Sequence, residues 1–159
     1  GRRTAATRTR DIRLSLPGTA FRRCTPPALT ARRMKRSPLL QPLSREHHAA
    51  LSLARSCERA ARSGDAAQVD AACERAVRAF RQELDPHFRT EEHALLPLLR
   101  SADTQSLVQR TLEDHRLLRG LLDDLQRNDA GALARFGEHL AAHVRFEERA
   151  LFAAIESLL

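Results

Sequence analysis

The feature that most constrains the fold of this chain is a ten-residue motif that occurs twice, fifty-six residues apart. Residues 87–96 are HFRTEEHALL and residues 143–152 are HVRFEERALF. Each copy begins with a histidine and has a glutamate four residues later, His87 with Glu91 and His143 with Glu147. On an α-helix this spacing places both side chains on one face, one turn apart. The motif therefore predicts two helices that each present an imidazole and a carboxylate on the same side.

The rest of the chain also favours helices. Its 159 residues are rich in Ala, Leu, Arg and Glu and contain only six glycines, which suits one helical domain with a sizeable core. Apolar residues recur at helical spacing in four segments, about 44–62, 66–99, 103–127 and 130–158. Turn residues near 63–65 and 128–129 separate two pairs of these segments. Residues 39–159 are therefore predicted to form an all-α, antiparallel up-down four-helix bundle.

The positive charge of the chain is confined to its first 38 residues. Residues 1–38 contain eleven Lys and Arg against one acid, whereas residues 39–159 contain sixteen Arg against nineteen acids. Several prolines and the lack of periodicity predict that residues 1–38 are a disordered basic extension. A nucleic-acid-binding arm and an Arg-rich targeting segment are alternatives. An extension with no role in the fold is favoured, because Met34 stands where a natural start is expected, so nucleic acid is not an expected partner.

Composition and missing motifs exclude several classes of function. The chain has no Trp or Tyr, which excludes a tyrosyl radical and a phenolate ligand. Glu-x-x-His, His-Glu-x-x-His, a glycine-rich phosphate loop and a nucleophile elbow are all absent, although ferritin-like, zinc-protease, nucleotide-binding and hydrolase sites require them. No apolar run is long enough to span a membrane, and the three cysteines form no disulfide framework. A cytoplasmic protein with reduced thiols and no membrane partner is expected.

Six polar residues occupy positions where the apolar periodicity predicts burial. Unpaired buried carboxylates cost several kcal/mol, and residues 39–159 contain no lysine to compensate them. Bound metal is the simplest source of positive charge. If two glutamates bridge two ions and four histidines are divided between them, each ion receives two nitrogens and two oxygens and keeps positions for a small molecule. This donor set suits iron, with Mn or Zn as substitutes, and its predicted members are His47, His87, Glu91, His115, His143 and Glu147.

Other residues near the motifs are weaker candidates. His139 precedes His143 by four residues and is a candidate for a supporting residue or a fifth nitrogen ligand. Glu92 and Glu148 follow the two glutamates of the donor set and are alternative bridges. Two phenylalanines, Phe80 and Phe136, stand seven residues before the motif histidines. They are expected to help line a dry pocket.

These segments resemble the hemerythrin-like, HHE cation-binding family over about residues 43–158. The resemblance is carried by SREHHAAL, PHFRTEEHALLP, LEDHRLLRGL and LAAHVRFEERALF. It implies a four-helix bundle with a carboxylate-bridged, non-haem di-iron centre in proteins that handle O₂, NO or peroxide, or that store or sense iron. Glu91 and Glu147 would be the bridges, and His87, His143 and His115 would be terminal ligands.

The resemblance leaves His47 or His48 as the ligand of the first helix. His47 is favoured because it shares a face with Ala50 and Ala54, whereas seven residues after His48 comes Arg55.

Two differences separate this chain from the oxygen-carrying hemerythrins. Arg119 stands four residues after His115, where those proteins have a second histidine, and the last motif ends in His-x-x-x-Glu instead of His-x-x-x-x-Asp. Four histidines with two glutamates are more similar to bacterial proteins that repair nitrosatively damaged iron centres. Those proteins carry an additional cysteine-bearing N-terminal domain, whereas residues 1–38 contain only Cys24.

We therefore predict a di-iron protein that binds or senses O₂, NO or reactive oxygen species. Its expected partners are a diatomic ligand or peroxide and an unknown reductase. The alternatives are an enzyme that repairs damaged iron centres or removes peroxide, a protein for iron storage or delivery, and a metal-free helical interaction module.

Overall fold

The computed structural model describes residues 36–159, so the predicted basic extension lies outside this range except for its last three residues. All regular structure in the described part is helical, with no strand. We group it into four long helices. The first is α1 (Gln41–Arg62); the second runs through α2 (Ala66–Ala79), a π-helical turn (Phe80–Leu84), α3 (Asp85–Thr90) and a second π-helical turn (Glu91–Leu95).

A loop containing two short 3₁₀ turns, Leu96–Leu98 and Ala102–Thr104, leads to the second half. The third long helix consists of α4 (Gln105–Gly120) and α5 (Leu122–Gln126). The fourth consists of α6 (Ala130–Phe146), a π-helical turn (Glu147–Leu151) and α7 (Phe152–Glu156). Four long helices agree with the four predicted segments. No helix in residues 36–159 combines the length and apolar character needed to cross a membrane.

Local sequence explains the breaks between the long helices. Gly64 adopts a positive φ of 69°, which glycine tolerates without steric cost. Asp65 caps α2 by accepting a hydrogen bond from the backbone N–H of Ala67 at 2.9 Å, and Asp129 caps α6 through the N–H of Ala132 at 2.7 Å. Such side-chain caps satisfy donors that have no partner within the helix.

The predicted inward face of the fourth helix is wrong beyond Glu147. Continued at spacings of three and four from His143 and Glu147, the apolar pattern of this helix predicts that Ala150, Ala154 and Leu158 point inward. In the structure Leu158 is 58% exposed and the two alanines are only partly buried. The π-helical turn at Glu147–Leu151 inserts one extra residue per turn, and this rotates the following residues. The residues that are buried instead are Leu151, Phe152 and Ile155.

Pro86 disturbs the second helix, as its sequence position predicts. A proline inside an α-helix removes one hydrogen bond and crowds the preceding turn. The chain widens into the π-helical turn before it, and the N–H of Asp85 bonds to the carbonyl of Phe80. Pro86 then lies in the first turn of α3, where its missing donor costs little. This arrangement leads directly into His87.

The apolar core consists of two clusters. We call them the large cluster, which includes Ala54, Phe80 and Phe136, and the small cluster, which contains Leu40, Leu43, Leu95, Leu96, Leu99, Leu151, Phe152 and Ile155. In the large cluster α1 packs very closely on α6, because a Cβ atom added at Gly137 would lie 2.7 Å from the carbonyl oxygen of Ala54. Three of the predicted ligands, His47, Glu91 and Glu147, stand along the chain between a residue of the large cluster and a residue of the small cluster.

Candidate metal centre

All six predicted ligands are buried and converge in one polar layer. Their exposed fractions range from 0% for Glu91, His115 and Glu147 to 5% for His87. His47 points inward with 3% exposed, whereas the next residue, His48, is exposed to solvent. His139 is also exposed and belongs to neither ligand group described below.

The six side chains form two groups that share both glutamates. One group is His47, His87, Glu91 and Glu147, and the other is Glu91, His115, His143 and Glu147. Each residue offers one ligand atom to a group, and these atoms lie within 4.8 Å of one another. Each long helix supplies one histidine, while the second and fourth also supply a glutamate.

Each glutamate presents one oxygen to each histidine pair. Glu91 Oε1 lies 3.2 Å from His87 Nε2, and its Oε2 lies 3.3 Å from His115 Nε2. Glu147 Oε2 lies 3.1 Å from His47 Nε2, and its Oε1 lies 3.2 Å from His143 Nε2. Two donors about 2.1 Å from one metal ion and at right angles to each other are about 3.0 Å apart. The spacing therefore suits neighbouring ligands of two ions bridged by both carboxylates.

Most of the ligand atoms lack a hydrogen-bond partner among the described residues. Both oxygens of Glu91, both oxygens of Glu147 and the Nε2 atoms of His115 and His143 are buried and unpaired. Buried polar groups are rarely left without partners, because desolvation costs them about 1–3 kcal/mol each. The donors therefore fit a pair of cations, which would satisfy all six atoms.

The remaining two histidines support the same interpretation. His47 Nε2 and His87 Nε2 face each other at 3.1 Å. Each ring has its other nitrogen, Nδ1, against a carboxylate oxygen, which can only accept a proton. Both Nε2 atoms of the neutral rings are therefore acceptors. Two facing acceptors repel each other unless a proton or a metal ion lies between them.

Four outer carboxylates bond to the four histidines in cyclic order around the long helices. In every case the Nδ1 atom of a histidine donates to an acid of the preceding long helix. The cycle closes because the histidine of the first long helix donates to an acid of the fourth. The bonds are His87 to Glu46 at 2.6 Å, His115 to Glu92 at 2.8 Å, His143 to Asp114 at 3.4 Å, and His47 to Glu148 at 2.7 Å. Such bonds fix the ring orientation and direct the Nε2 lone pair towards a metal. We call these four acids the outer ring.

Three of the four outer acids form ion pairs with arginines. Arg119 Nη1 donates to Glu92 at 2.8 Å, Arg110 lies 3.8 Å from Asp114, and Arg36 contacts Glu148. Glu148 also accepts a bond from Ser44 Oγ at 2.8 Å. Glu46 makes no ion pair with an arginine of the described part, and its side chain is 56% exposed.

The electrostatics of the layer reflect this arrangement. Burial opposes ionisation of Glu148, but bonds from His47 and Ser44 outweigh it and lower its pKa to about 2. Burial and the negative charge of Glu91 raise the pKa of Glu147 well above its usual value. Burial also opposes ionisation of Glu91, but the imidazoles of His115 and His87 beside its two oxygens outweigh it and lower its pKa. Without a cation between them, the two central carboxyls therefore do not ionise independently, and a proton on Glu147 is favoured over two facing negative charges.

Two aromatic rings cover the histidines. Phe88 stacks on His115 with ring centroids 3.9 Å apart, and Phe152 stacks on His47 at 5.1 Å. The predicted pair, Phe80 and Phe136, is buried in the large cluster instead, with Phe80 packed against Phe88 at 5.9 Å. The rings exclude water from the layer and restrict rotation of the imidazoles.

Sequence reasoning missed the role of the outer ring. Glu92 and Glu148 were considered as alternative bridges, but they bond to Nδ1 atoms outside the two ligand groups. A signal was available, since every outer acid is adjacent in sequence to a predicted ligand. Adjacent residues point in different directions on a helix, so when the ligand points to the centre, the acid beside it points towards a neighbouring helix.

Comparison with known protein families gives a match. The family model of the hemerythrin HHE cation binding domain matches residues 39–155, a range that contains both motif copies and all six ligands. No curated protein matches the chain. No solved structure matches it either.

Proposed function

Because this chain belongs to the hemerythrin HHE cation-binding domain family, we propose that it holds two non-haem iron ions and binds or senses O₂, NO or reactive oxygen species. His47 and His87 would bind one ion, His115 and His143 the other, and Glu91 and Glu147 would bridge them. The antiparallel up-down order of the helices and a cytoplasmic location are part of the same proposal.

The observation that carries the proposal is the set of four unpaired glutamate oxygens, each facing a histidine pair. A metal-free helical module would retain this arrangement at a cost of several kcal/mol. Apolar side chains of similar volume would be cheaper at these positions. The geometry therefore favours a metal protein over an interaction module.

Mixed imidazole and carboxylate donors suit iron, and an iron pair supplies reversible redox chemistry and open positions for a small ligand. The protein itself orients the imidazoles through the outer ring. Phe88 and Phe152 keep water away from the layer. Each ion would have four protein donors, and a small ligand could bind at the positions that these donors leave free.

Anaerobic loading of the full chain with Fe(II), followed by metal analysis, tests the proposal. About two irons per chain are expected from the two ligand groups. Glu147→Gln should reduce the content to one iron or less, whereas Glu138→Gln, an exposed acid on the same long helix, should not change it. An unaltered iron content in Glu147→Gln would refute the bridged centre.

Separate mixing of the Fe(II) protein with O₂, NO and peroxide then identifies the ligand. A stable adduct with one of them supports binding or sensing. Multiple turnovers with peroxide, or rescue of a damaged iron–sulfur protein, would support the enzyme alternatives instead. Rapid and complete removal of iron by a chelator would support storage or delivery.

A further inference from the structure

The centre borders a cavity that is much larger than a diatomic ligand requires. The cavity has a volume of about 770 Å³ and lies between α1 and the 79–95 part of the second long helix. A water molecule occupies roughly 30 Å³ of liquid, whereas cavities for organic ligands measure about 300–1,000 Å³. The space is therefore large enough to accept an organic molecule in addition to O₂, NO or peroxide.

Small side chains create this space. Ala49 and Ala50 face it from α1, and Ala79 and Ala94 face it from the second long helix. Larger apolar residues, among them Leu43, Leu84, Leu95, Leu140 and Val144, complete the wall. Such a surface suits the body of an elongated apolar molecule.

The cavity reaches the proposed metal site. His47 and His87, which belong to one ligand group, line it together with His143. Glu46 also lines it while it bonds to His87. An occupant would therefore lie against the ion held by His47 and His87, and not at a remote surface.

The charges around the cavity restrict what it accepts. Glu46 and Glu83 line it, and no arginine or lysine of the described residues does. Both acids are exposed and therefore lie towards solvent. Carboxylate or phosphate head groups would be repelled there, whereas a protonated amine would be attracted.

We infer that this cavity binds an elongated apolar molecule with a protonated amine at one end, its body lying beside the His47–His87 part of the centre. The inference rests on the proposed function, because it names the class of organic molecule that this metal site meets. The protein would then bind this organic molecule in addition to the small ligand of the iron pair.

Calorimetric titration of the full chain, both loaded with redox-inert Zn²⁺ and metal-free, tests the inference. The ranking of the probes is taken from the metal-free chain, because a carboxylate can also bind Zn²⁺ directly. The probes are dodecylamine, dodecanol and dodecanoate below the concentrations at which they form micelles. We expect one dodecylamine per chain, bound about tenfold more tightly than dodecanoate and more tightly than dodecanol, because exposed ion pairs contribute modestly. Binding of dodecanoate or dodecanol as tight as that of the amine would overturn the inference.

Two variants with matched controls locate the binding. Ala49→Trp should fill the cavity and weaken amine binding about tenfold or more. Ser52→Trp, at an exposed position of α1 outside the cavity, should not. Glu83→Gln should weaken amine binding by roughly two- to fivefold without affecting dodecanol, while Glu74→Gln, an exposed acid on α2 outside this cavity, should leave both unchanged. Unchanged amine binding in Ala49→Trp would refute the location.

Metal content measured on the same samples separates the two proposals. A chain that holds two ions but binds no amine contradicts only the inference. A chain that binds the amine but holds no metal contradicts the proposed function and leaves the cavity assignment standing.

Discussion

Glu46 shows how much a single surface carboxylate is expected to contribute to the centre. It is the most exposed member of the outer ring, yet it bonds to His87 Nδ1 at 2.6 Å. We predict that Glu46→Ala lowers the affinity for the ion bound by His87 about 10- to 100-fold, because the ring loses its fixed orientation. Competition with a chelator should then release the two ions in separate steps.

Arg45→Ala is the control for this prediction, since Arg45 is an exposed neighbour on α1. Glu92→Ala should loosen the other ion, because Glu92 orients His115. Equal weakening of both ions by both variants would contradict the assignment of each histidine to one group.

Glu147→Gln should weaken metal binding without weakening the fold of the metal-free protein. Glu147 is fully buried beside Glu91 and unpaired, so an amide, which is neutral without binding a proton, removes the cost of keeping a carboxyl there in the metal-free protein. We expect the metal-free variant to be as stable as the wild type or about 1 kcal/mol more stable, and to gain little stability from metal. Urea unfolding with and without Zn²⁺ measures both effects, and marked destabilisation of the metal-free variant would be the contrary result.

Metal binding should also release protons. The pKa of Glu147 is raised from 4.5 by burial and by Glu91, so the folded metal-free protein keeps a proton that the unfolded chain releases. Its stability should therefore fall as the pH rises from 4.5 towards the raised pKa. Bound cations favour the ionised form, and affinity should fall as the pH decreases.

Calorimetry in buffers with different ionisation enthalpies counts the released protons. We expect the wild type to release more protons on metal binding than Glu147→Gln, because the cations displace the proton of the carboxyl pair. A proton count that is identical in the wild type and the variant would exclude Glu147 as the source.

At the level of elements, the π-helical turns keep the inward faces aligned. A spacing of four drifts by about 40° per step on an α-helix of 3.6 residues per turn. The wider turn at Glu147–Leu151 offsets this drift and returns Leu151 and Ile155 to the core. The turn at Glu91–Leu95 occupies the same place in the other motif copy.

This geometry makes deletion of Arg149 tolerable. Arg149 is exposed inside the π-helical turn, and its loss places Leu151, Phe152 and Ile155 three, four and seven positions after Glu147. Those are the spacings of one α-helical face. We expect the metal-free protein to keep its stability to within about 1 kcal/mol.

Deletion of Arg145 is the matched comparison, because Arg145 is exposed on the same long helix but lies in α6. This deletion rotates one half of the helix by about 100° relative to the other. It should destabilise the protein by about 3 kcal/mol or more. Equal effects of the two deletions in urea unfolding would show that the turn does not set the register.

The sequence predicted the helices well because apolar periodicity determines them. Residues such as Phe80, Leu133 and Leu140 are buried where the pattern places them. It could not predict the π-helical turns, because their hydrogen bonds depend on packing of the finished helix, and so Leu158 was misplaced. The outer ring could not be predicted without knowing which helices are neighbours. The cavity could not be predicted without knowing where the packed side chains leave space.

For the whole molecule, the polar layer joins two apolar clusters. On α1, for example, His47 stands between Leu43 of the small cluster and Ala50 of the large one. Removal of the metal should leave the facing carboxylates uncompensated and weaken the contact between the clusters. The small cluster buries fewer side chains and should open first.

Hydrogen exchange measures this directly. In the metal-free protein, amides of α7 should exchange faster than those of the middle of α6, and the difference should shrink when Zn²⁺ is bound. Binding at a thousandfold excess over Kd stabilises the fold by about 4 kcal/mol. Uniform protection of both parts without metal would contradict the two-cluster description.

The cyclic outer ring has a consequence for moving this centre into another protein. Six ligands copied alone would arrive without the carboxylates that aim them, whereas the natural unit is a set of adjacent residue pairs: Glu46–His47, Glu91–Glu92, Asp114–His115 and Glu147–Glu148. In each pair one residue is a proposed metal ligand, and the other accepts a hydrogen bond from a histidine of the next long helix. Only His87 and His143 have no such partner beside them in the sequence. A transplanted centre therefore needs ten positions and a fixed sense of rotation, so its mirror-image helix order would leave every imidazole unsupported.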